Sequence, residues 1–172
     1  KNEILRRAEK LIPNFKDRAN EAETLRCIPK ENMNDLFDSG MMRIFQPLKY
    51  GGYGMGWATH ADAARVIARG CPSSAWIVSV VGAHAAIAGR MTEECQEDIW
   101  GKNQDQLIVT ASAQINSCAK KTSGGFILSG TWRFASGVDH SEWSIVHSHV
   151  DGNDPHDHSL FIRLLIPTSE LK

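Results

Sequence analysis

Apolar positions recur with a helical period through roughly the first hundred residues of the chain. An apolar stripe from Ile4 to Ile12 predicts an amphipathic helix, and Pro13 is expected to interrupt that helix or mark its end. Pro29 suits the first turn of another helix, which is expected to stop at Gly40, a residue type that often ends helices. The chain therefore begins as a helical region.

The most apolar segment of the chain is predicted to be a buried helix from Ala75 to about Met91. Pro72, which precedes it, suits the first helical position, where its missing N–H is not needed. A helix that is apolar nearly all round must be covered on every side. A further helix is predicted over residues 57–68.

From Gln106 onward the apolar period changes to that of β-strands. Clusters of Gly, Ser, Asp and Asn separate the segments that are predicted as strands, which are 107–109, 125–135, 143–150 and 160–167. Helices followed by strands indicate an α+β fold rather than an alternating parallel sheet. We expect a helical domain over residues 1–104 and a β domain over 105–172.

The last predicted strand ends at Pro167, and the sheet is then unfinished. Four or so strands with open edges make a poor independent barrel. We therefore expect the chain to be part of a longer polypeptide.

Charge and composition exclude several classes of partner. The 172 residues carry a formal net charge of -1, with 42% apolar and 23% charged residues, as in ordinary globular proteins. The lysines and arginines form no basic stripe, so a nucleic-acid partner is not expected. The longest apolar run, Ala75 to Ala88, is interrupted by Ser79 and His84 and is too short to span a bilayer, so no membrane association is expected.

The cysteines argue against a disulfide or zinc framework. Cys27, Cys71, Cys95 and Cys118 are far apart and include no C-x-x-C pair. Unpaired cysteines suit a reducing compartment, so we expect a cytoplasmic protein. Residues 147–158 are rich in His and Asp without the spacing of a zinc or iron site, and no metal is expected there.

The segment SGTWRFASGVDHSEW, residues 129–143, carries the candidate chemistry. Trp132 and Phe134 alternate with polar residues as on a strand with one apolar face, and Gly137 permits a sharp turn. The hydroxyl of Ser136 and the open backbone beside it are what a flat polar ring needs in order to dock edge-on. An ordinary β-hairpin with a half-buried Trp132 explains the same pattern, and we expect Asp139-His140 to form a turn.

Three motifs, CPSSAW, VVGAH and WRFASGVDHSEW, together with the order of the helical and strand regions, resemble a known family. The chain is similar to the oxygenase components of two-component flavin-dependent aromatic monooxygenases of the p-hydroxyphenylacetate hydroxylase type, which share the acyl-CoA dehydrogenase fold. That fold implies an N-terminal helical domain, an antiparallel β-barrel domain and a C-terminal four-helix bundle that is missing from this chain. It also implies a homotetramer.

The resemblance implies a specific reaction. Reduced FMN or FAD, bound non-covalently and supplied by a separate NAD(P)H-dependent flavin reductase, would react with O2 through a C4a-hydroperoxyflavin. The product would be a hydroxylated small aromatic substrate, phenolic or indolic, in aromatic compound catabolism. Two rivals remain: an acyl-CoA dehydrogenase that oxidises an acyl-CoA thioester with FAD, and a non-catalytic domain that serves only in assembly.

The resemblance also assigns roles to residues. His84 would be catalytic and substrate-binding, holding the phenolic or ring-nitrogen group and helping to remove a proton, although a core histidine satisfied by a carbonyl explains its position equally. Ser136 would be catalytic near flavin N5, and Ser112 and Trp76 would contact the substrate. The residues implied to bind the flavin are Thr110, Ala111, Ser112, Trp132, Ala135, Ser136 and Gly137.

Overall fold

The structure is a computed structural model that describes residues 1–154 and 156–171, with all side chains in those ranges except those of residues 113, 115 and 158. Its packing divides the chain into two compact units, Lys1–Leu107 and Ile108–Lys172. Among the described residues, no helix is both long and apolar enough to cross a membrane.

The N-terminal unit is helical, as the apolar period predicts. Its helices pack around a core of buried aliphatic side chains, and two 3-10 turns and the glycine-rich segment 51–56 connect α3 to α4. The helices are α1 (Asn2–Asp17), α2 (Ala19–Leu25), α3 (Lys30–Asp38), α4 (Trp57–Ile67), α5 (Pro72–Ala88) and α6 (Glu93–Trp100).

Helix α1 continues through Pro13 to Asp17, so the prediction that Pro13 interrupts or ends it is wrong. A proline inside a helix removes one N–H and leaves the carbonyl four residues earlier without its donor. That carbonyl belongs to Glu9, which is exposed to water. The turn after Pro13 buries Phe15 completely, and this burial keeps the last turn helical.

Helix α5 confirms the predicted apolar helix, with Pro72 in its first turn and the Cys71 thiol accepting the Ser74 amide at 3.5 Å. A buried polar network holds its start. Asn32 of α3 donates from Nδ2 to Ser74 Oγ at 3.0 Å, and Arg18 donates to Asn32 Oδ1 at 3.0 Å and to Asp35 at 2.8 Å. Buried polar groups that are paired in this way specify one packing arrangement.

The C-terminal unit is one curled mixed sheet. Strand β4 pairs in parallel with β1 and with β2, and antiparallel with β5, while β2 and β3 form an antiparallel hairpin. The strands are β1 (Ile108–Ala111), β2 (Ala113–Thr122), β3 (Gly125–Arg133), β4 (Trp143–Val150) and β5 (Ile162–Pro167).

Two expectations about the sheet are corrected. The resemblance implied an antiparallel barrel domain, but the β2–β3 hairpin intervenes before the chain returns, and β4 therefore runs beside β1 in the same direction. Segment 129–143 is also not a hairpin, because β3 pairs with β2 and not with β4. The α+β class, helices first and strands afterwards, is confirmed.

A β-bulge sets the register of the β2–β3 ladder. Ile115 pairs with Thr131 but Cys118 pairs with Ser129, so β2 contains one extra residue at this point, and Asn116 has a φ of 50°. Gly130 lies opposite, with a φ of +146°. A Cβ at Gly130 would lie 2.7 Å from Ser117 Cα, so only glycine allows the two strands to approach here.

Replacing Gly130 with alanine is expected to destabilise the C-terminal unit by at least about 2 kcal/mol, because the side chain is both strained and in collision with backbone. Urea unfolding followed by tryptophan fluorescence measures the effect. Gly124→Ala is the matched control, since Gly124 has a φ of +86° and open space around it. An equal loss in both variants would contradict the steric argument.

Candidate functional site

Two of the predicted flavin-binding residues, Ser112 and Trp132, lie at or next to the end of the β2–β3 ladder. Ala113 pairs with Arg133, so Ser112 and Phe134 follow directly beyond the last pair on the two strands. Ser112 is exposed, and its carbonyl accepts the Gln114 amide at 3.0 Å. Segments 110–112 and 134–137 thus continue from the same end of the ladder, and we call these residues the corner.

The turn in the corner is built from two left-handed residues. Phe134 has a φ of 62° and Gly137 a φ of 84°. The Val138 amide donates to the Ala135 carbonyl at 3.1 Å, which closes the turn around Ser136. A 3-10 turn over Val138–His140 then leads to β4, which confirms that Asp139-His140 forms a turn.

Phe134 is the feature of the corner that the sequence did not predict. The alternating pattern placed it on the apolar face of a strand, but β3 ends at Arg133 and Phe134 is 86% exposed. A bulky residue in the left-handed region is strained, and such strain is concentrated at functional sites. An exposed phenyl face is a surface on which a flat ring could stack.

The concave face of the sheet forms a groove of about 640 Å³ that adjoins the corner. Ala111, Trp132 and Ala135 line it, whereas Thr110, Ser112, Ser136 and Gly137 are not among its described lining residues. The rest of the lining is mixed, with aliphatic residues such as Val146 and Ile166 and polar residues such as Ser144 and Glu170. The predicted flavin residues therefore divide between the corner and the groove beside it.

Trp132 anchors the end of β3. Its indole Nε1 donates to the His147 carbonyl at 2.8 Å, so its N–H is satisfied and its half-buried ring faces the groove. This bond fixes the strand directly before the corner. An indole held at both its polar and its apolar side is a rigid wall for a bound ring.

His147 is a neutral partner of Arg163. The Arg163 Nε donates to His147 Nε2 at 3.2 Å, across a directly paired position of β4 and β5. Burial, together with the positive charge of Arg163, lowers the pKa of His147. Within the described part of the chain, no group of three or more His, Cys, Asp or Glu is arranged to hold a metal, and the His158 side chain lies outside that part.

The predicted substrate residues of the N-terminal unit lie on α5. His84 is 7% exposed, which confirms the buried histidine that the sequence pattern predicts. Trp76, two turns earlier, is 57% exposed at the surface of its unit. The roles of these residues remain predictions.

Comparison with known proteins gives one family and several relatives. A model of the acyl-CoA dehydrogenase N-terminal domain matches residues 3–102. The chain is 33% identical over 170 residues to the flavin-dependent monooxygenase oxygenase subunit HsaA of Rhodococcus jostii strain RHA1, covering 98% of this chain and 43% of that protein. It is 34% identical over 155 residues to the p-hydroxyphenylacetate 3-hydroxylase oxygenase component of Acinetobacter baumannii, covering 87% and 36%.

A solved structure agrees with these matches. The HsaA monooxygenase from M. tuberculosis superimposes with a TM-score of 0.90 at 33% identity, over 98% of this chain and 46% of that chain. This chain therefore spans less than half the length of the relatives that it matches.

Replacing Phe134 with glycine is expected to raise the free energy of unfolding by up to about 1 kcal/mol, because the left-handed strain is removed and little burial is lost. Phe134→Ala, which removes the ring but keeps the strain, is the matched control and should change stability little. Urea unfolding measures both variants. A clear loss of stability in Phe134→Gly would show that the ring packs as core and is not held open for a ligand.

Proposed function

Since the chain belongs to the family of acyl-CoA dehydrogenase N-terminal domains, we propose that it forms part of the oxygenase component of a two-component flavin-dependent monooxygenase. The names of its relatives support this branch of the family. The observation that carries the proposal is the corner, where the β2–β3 ladder ends between Ser112 and the exposed, left-handed Phe134.

The corner fits the ring system of reduced FMN or FAD held without a covalent bond. Ala111, Ala135 and Gly137 are small enough for a flat ring to reach the backbone, and Ser112 and Ser136 place hydroxyls beside it. The exposed face of Phe134 would stack on the ring. Thr110 would contribute backbone groups to the ring edge.

When bound, the reduced flavin would supply two electrons to O2, so that one oxygen atom enters the aromatic ring as hydroxyl and the other leaves as water. The protein would orient the reactants and exclude water. Ser136 would donate a hydrogen bond to the flavin edge, and the apolar side chains of the groove, such as Val146 and Ile166, would limit the access of water.

His84 would act on the substrate. A buried imidazole can accept the proton of a phenolic hydroxyl or of a ring N–H, which makes the ring more electron-rich and more reactive toward oxygen transfer. Trp76, exposed on the same helix, would contact the substrate ring. The proposed substrate is therefore a small phenolic or indolic compound.

The remaining parts of the proposal concern partners and location. A separate NAD(P)H-dependent flavin reductase would supply the reduced flavin, and the complete polypeptide would work as a homotetramer. A cytoplasmic location is supported by the cysteines, which are all free thiols.

The reaction is tested with ¹⁸O2 on the complete polypeptide as its gene encodes it. Photochemically reduced FMN or FAD is supplied with phenol, resorcinol, p-hydroxyphenylacetate or indole, and the products are analysed by mass spectrometry. We expect one ¹⁸O atom in a hydroxylated product and little hydrogen peroxide. Formation of hydrogen peroxide alone, at the rate at which free reduced flavin reacts with O2, would contradict the proposal.

Replacing Ser136 with alanine is expected to lower the ratio of hydroxylated product to peroxide by roughly 10- to 100-fold, because one preorganised donor is lost. The matched control is Ser141→Ala in the same loop, where the hydroxyl only donates to the Val138 carbonyl at 3.3 Å. Product and peroxide are measured in the same assay. An equal ratio of hydroxylated product to peroxide in the two variants would show that Ser136 has no role in the reaction.

A further inference from the structure

His60 of α4 is a buried imidazole that the proposed reaction does not use. It is 3% exposed, and its Nε2 lies 3.0 Å from the Ser79 carbonyl of α5. A carbonyl can only accept, so Nε2 carries the hydrogen and donates it. Among the described residues Nδ1 has no hydrogen-bond partner, and burial lowers the pKa of His60, in keeping with a neutral ring.

Helix α5 is shaped to receive this ring. A Cβ at Gly82 would lie 3.3 Å from His60 Cε1, so the absence of a side chain at Gly82 leaves the space that the imidazole occupies. Phe45 and Trp57 flank the ring, with centroids at 4.7 and 6.0 Å. The ring is therefore held on its sides by aromatic contacts, while its polar bond goes to α5.

The hydrogen bond from His60 to the Ser79 carbonyl, which we call the anchor, acts on the turn of α5 that leads to His84. In an α-helix the carbonyl of residue 79 also accepts the amide of residue 83, so His60 shares its acceptor with the amide directly before His84. The exposed face of α5 is itself apolar, since it carries Trp76 and Ile87, so apolar burial alone distinguishes poorly between rotations of the helix. A polar contact is then the interaction able to fix one rotation of the helix among several that bury similar apolar area.

We propose that His60 is a positioning residue, which through Ser79 and the space at Gly82 sets the rotation of α5 and so the direction of the His84 imidazole. The inference rests on the proposed function, because it gives His84 the substrate contact described above. His60 itself touches neither substrate nor flavin.

The test compares His60→Phe, which keeps the aromatic shape and removes the donor, with His60→Gln, whose amide can still donate to Ser79. Both are made in the complete polypeptide, and the affinity for 4-nitrophenol is measured by its absorbance. We expect roughly tenfold weaker binding in His60→Phe and near wild-type binding in His60→Gln. The loss of 4-nitrophenol affinity caused by His60→Phe should vanish in a protein that already carries His84→Gln, because His60 acts through His84.

Hydrogen exchange of the Ala83 amide reports on the anchor without any ligand. Faster exchange in His60→Phe than in His60→Gln is expected, and Gly82→Ala, which pushes on the imidazole ring, should weaken 4-nitrophenol binding even if His60→Phe fails to fold. Unchanged 4-nitrophenol affinity in His60→Phe would overturn the inference. The same holds if His60→Phe lowers that affinity by an equal factor in a protein that already carries His84→Gln.

Failure of the proposed function gives a different result. Wild-type protein would then neither bind 4-nitrophenol nor hydroxylate any aromatic compound, while the Ala83 amide still exchanged faster in His60→Phe. That pattern would keep the anchor as a structural contact and overturn its role in positioning a substrate-binding His84.

Discussion

The register of the β2–β3 ladder is the constraint on which the candidate site depends. Ser112 and Phe134 come together only because the ladder ends at the pair Ala113 and Arg133. A slip of one residue would turn every side chain of a strand to the opposite face. The bulge opposite Gly130 opposes such a slip, because a slip would place a residue with a Cβ where Gly130 stands, and a Cβ there would lie 2.7 Å from Ser117 Cα.

The N-terminal unit meets a different requirement, which is to orient an apolar helix. Burial drives α5 into the unit but is non-directional, so it does not choose among rotations of the helix. Hydrogen bonds at particular positions do favour one rotation of α5. Asn32 donates to Ser74 in the first turn of this helix, and His60 donates to the Ser79 carbonyl in the second. Burial thus supplies stability, and these hydrogen bonds supply orientation.

Local patterns in the sequence predicted the local parts of the fold. The apolar period was sufficient for α4 and α5, and Pro72 marked a helix start as expected. The sequence pattern does not predict strand β2, because AQINSCAKKT lacks a clear alternation of apolar and polar residues. Pairing with its neighbouring strands holds this segment in the sheet. The continuation of α1 past Pro13 depends on burial of Phe15, a contact between elements that no local pattern reports.

The candidate site was predictable only in part. The resemblance assigns roles to Ser112 and Ser136, whereas the position of Ser112 beside Phe134 follows only from the register of the β2–β3 ladder. Phe134 adopts its left-handed conformation where the chain leaves β3, and an alternating apolar pattern carries no information about that change of direction. His60 stood in an ordinary helical sequence, and only the three-dimensional pairing with Ser79 singles it out.

We propose that reduced flavin binds at the corner formed by residues 110–112 and 134–137. The most direct measurement is an anaerobic crystal structure of the complete polypeptide with reduced FMN or FAD. We expect the isoalloxazine ring to lie within hydrogen-bond distance of Ser112 or Ser136 and to stack on Phe134. A ring bound away from both segments, with the corner unchanged, would contradict it.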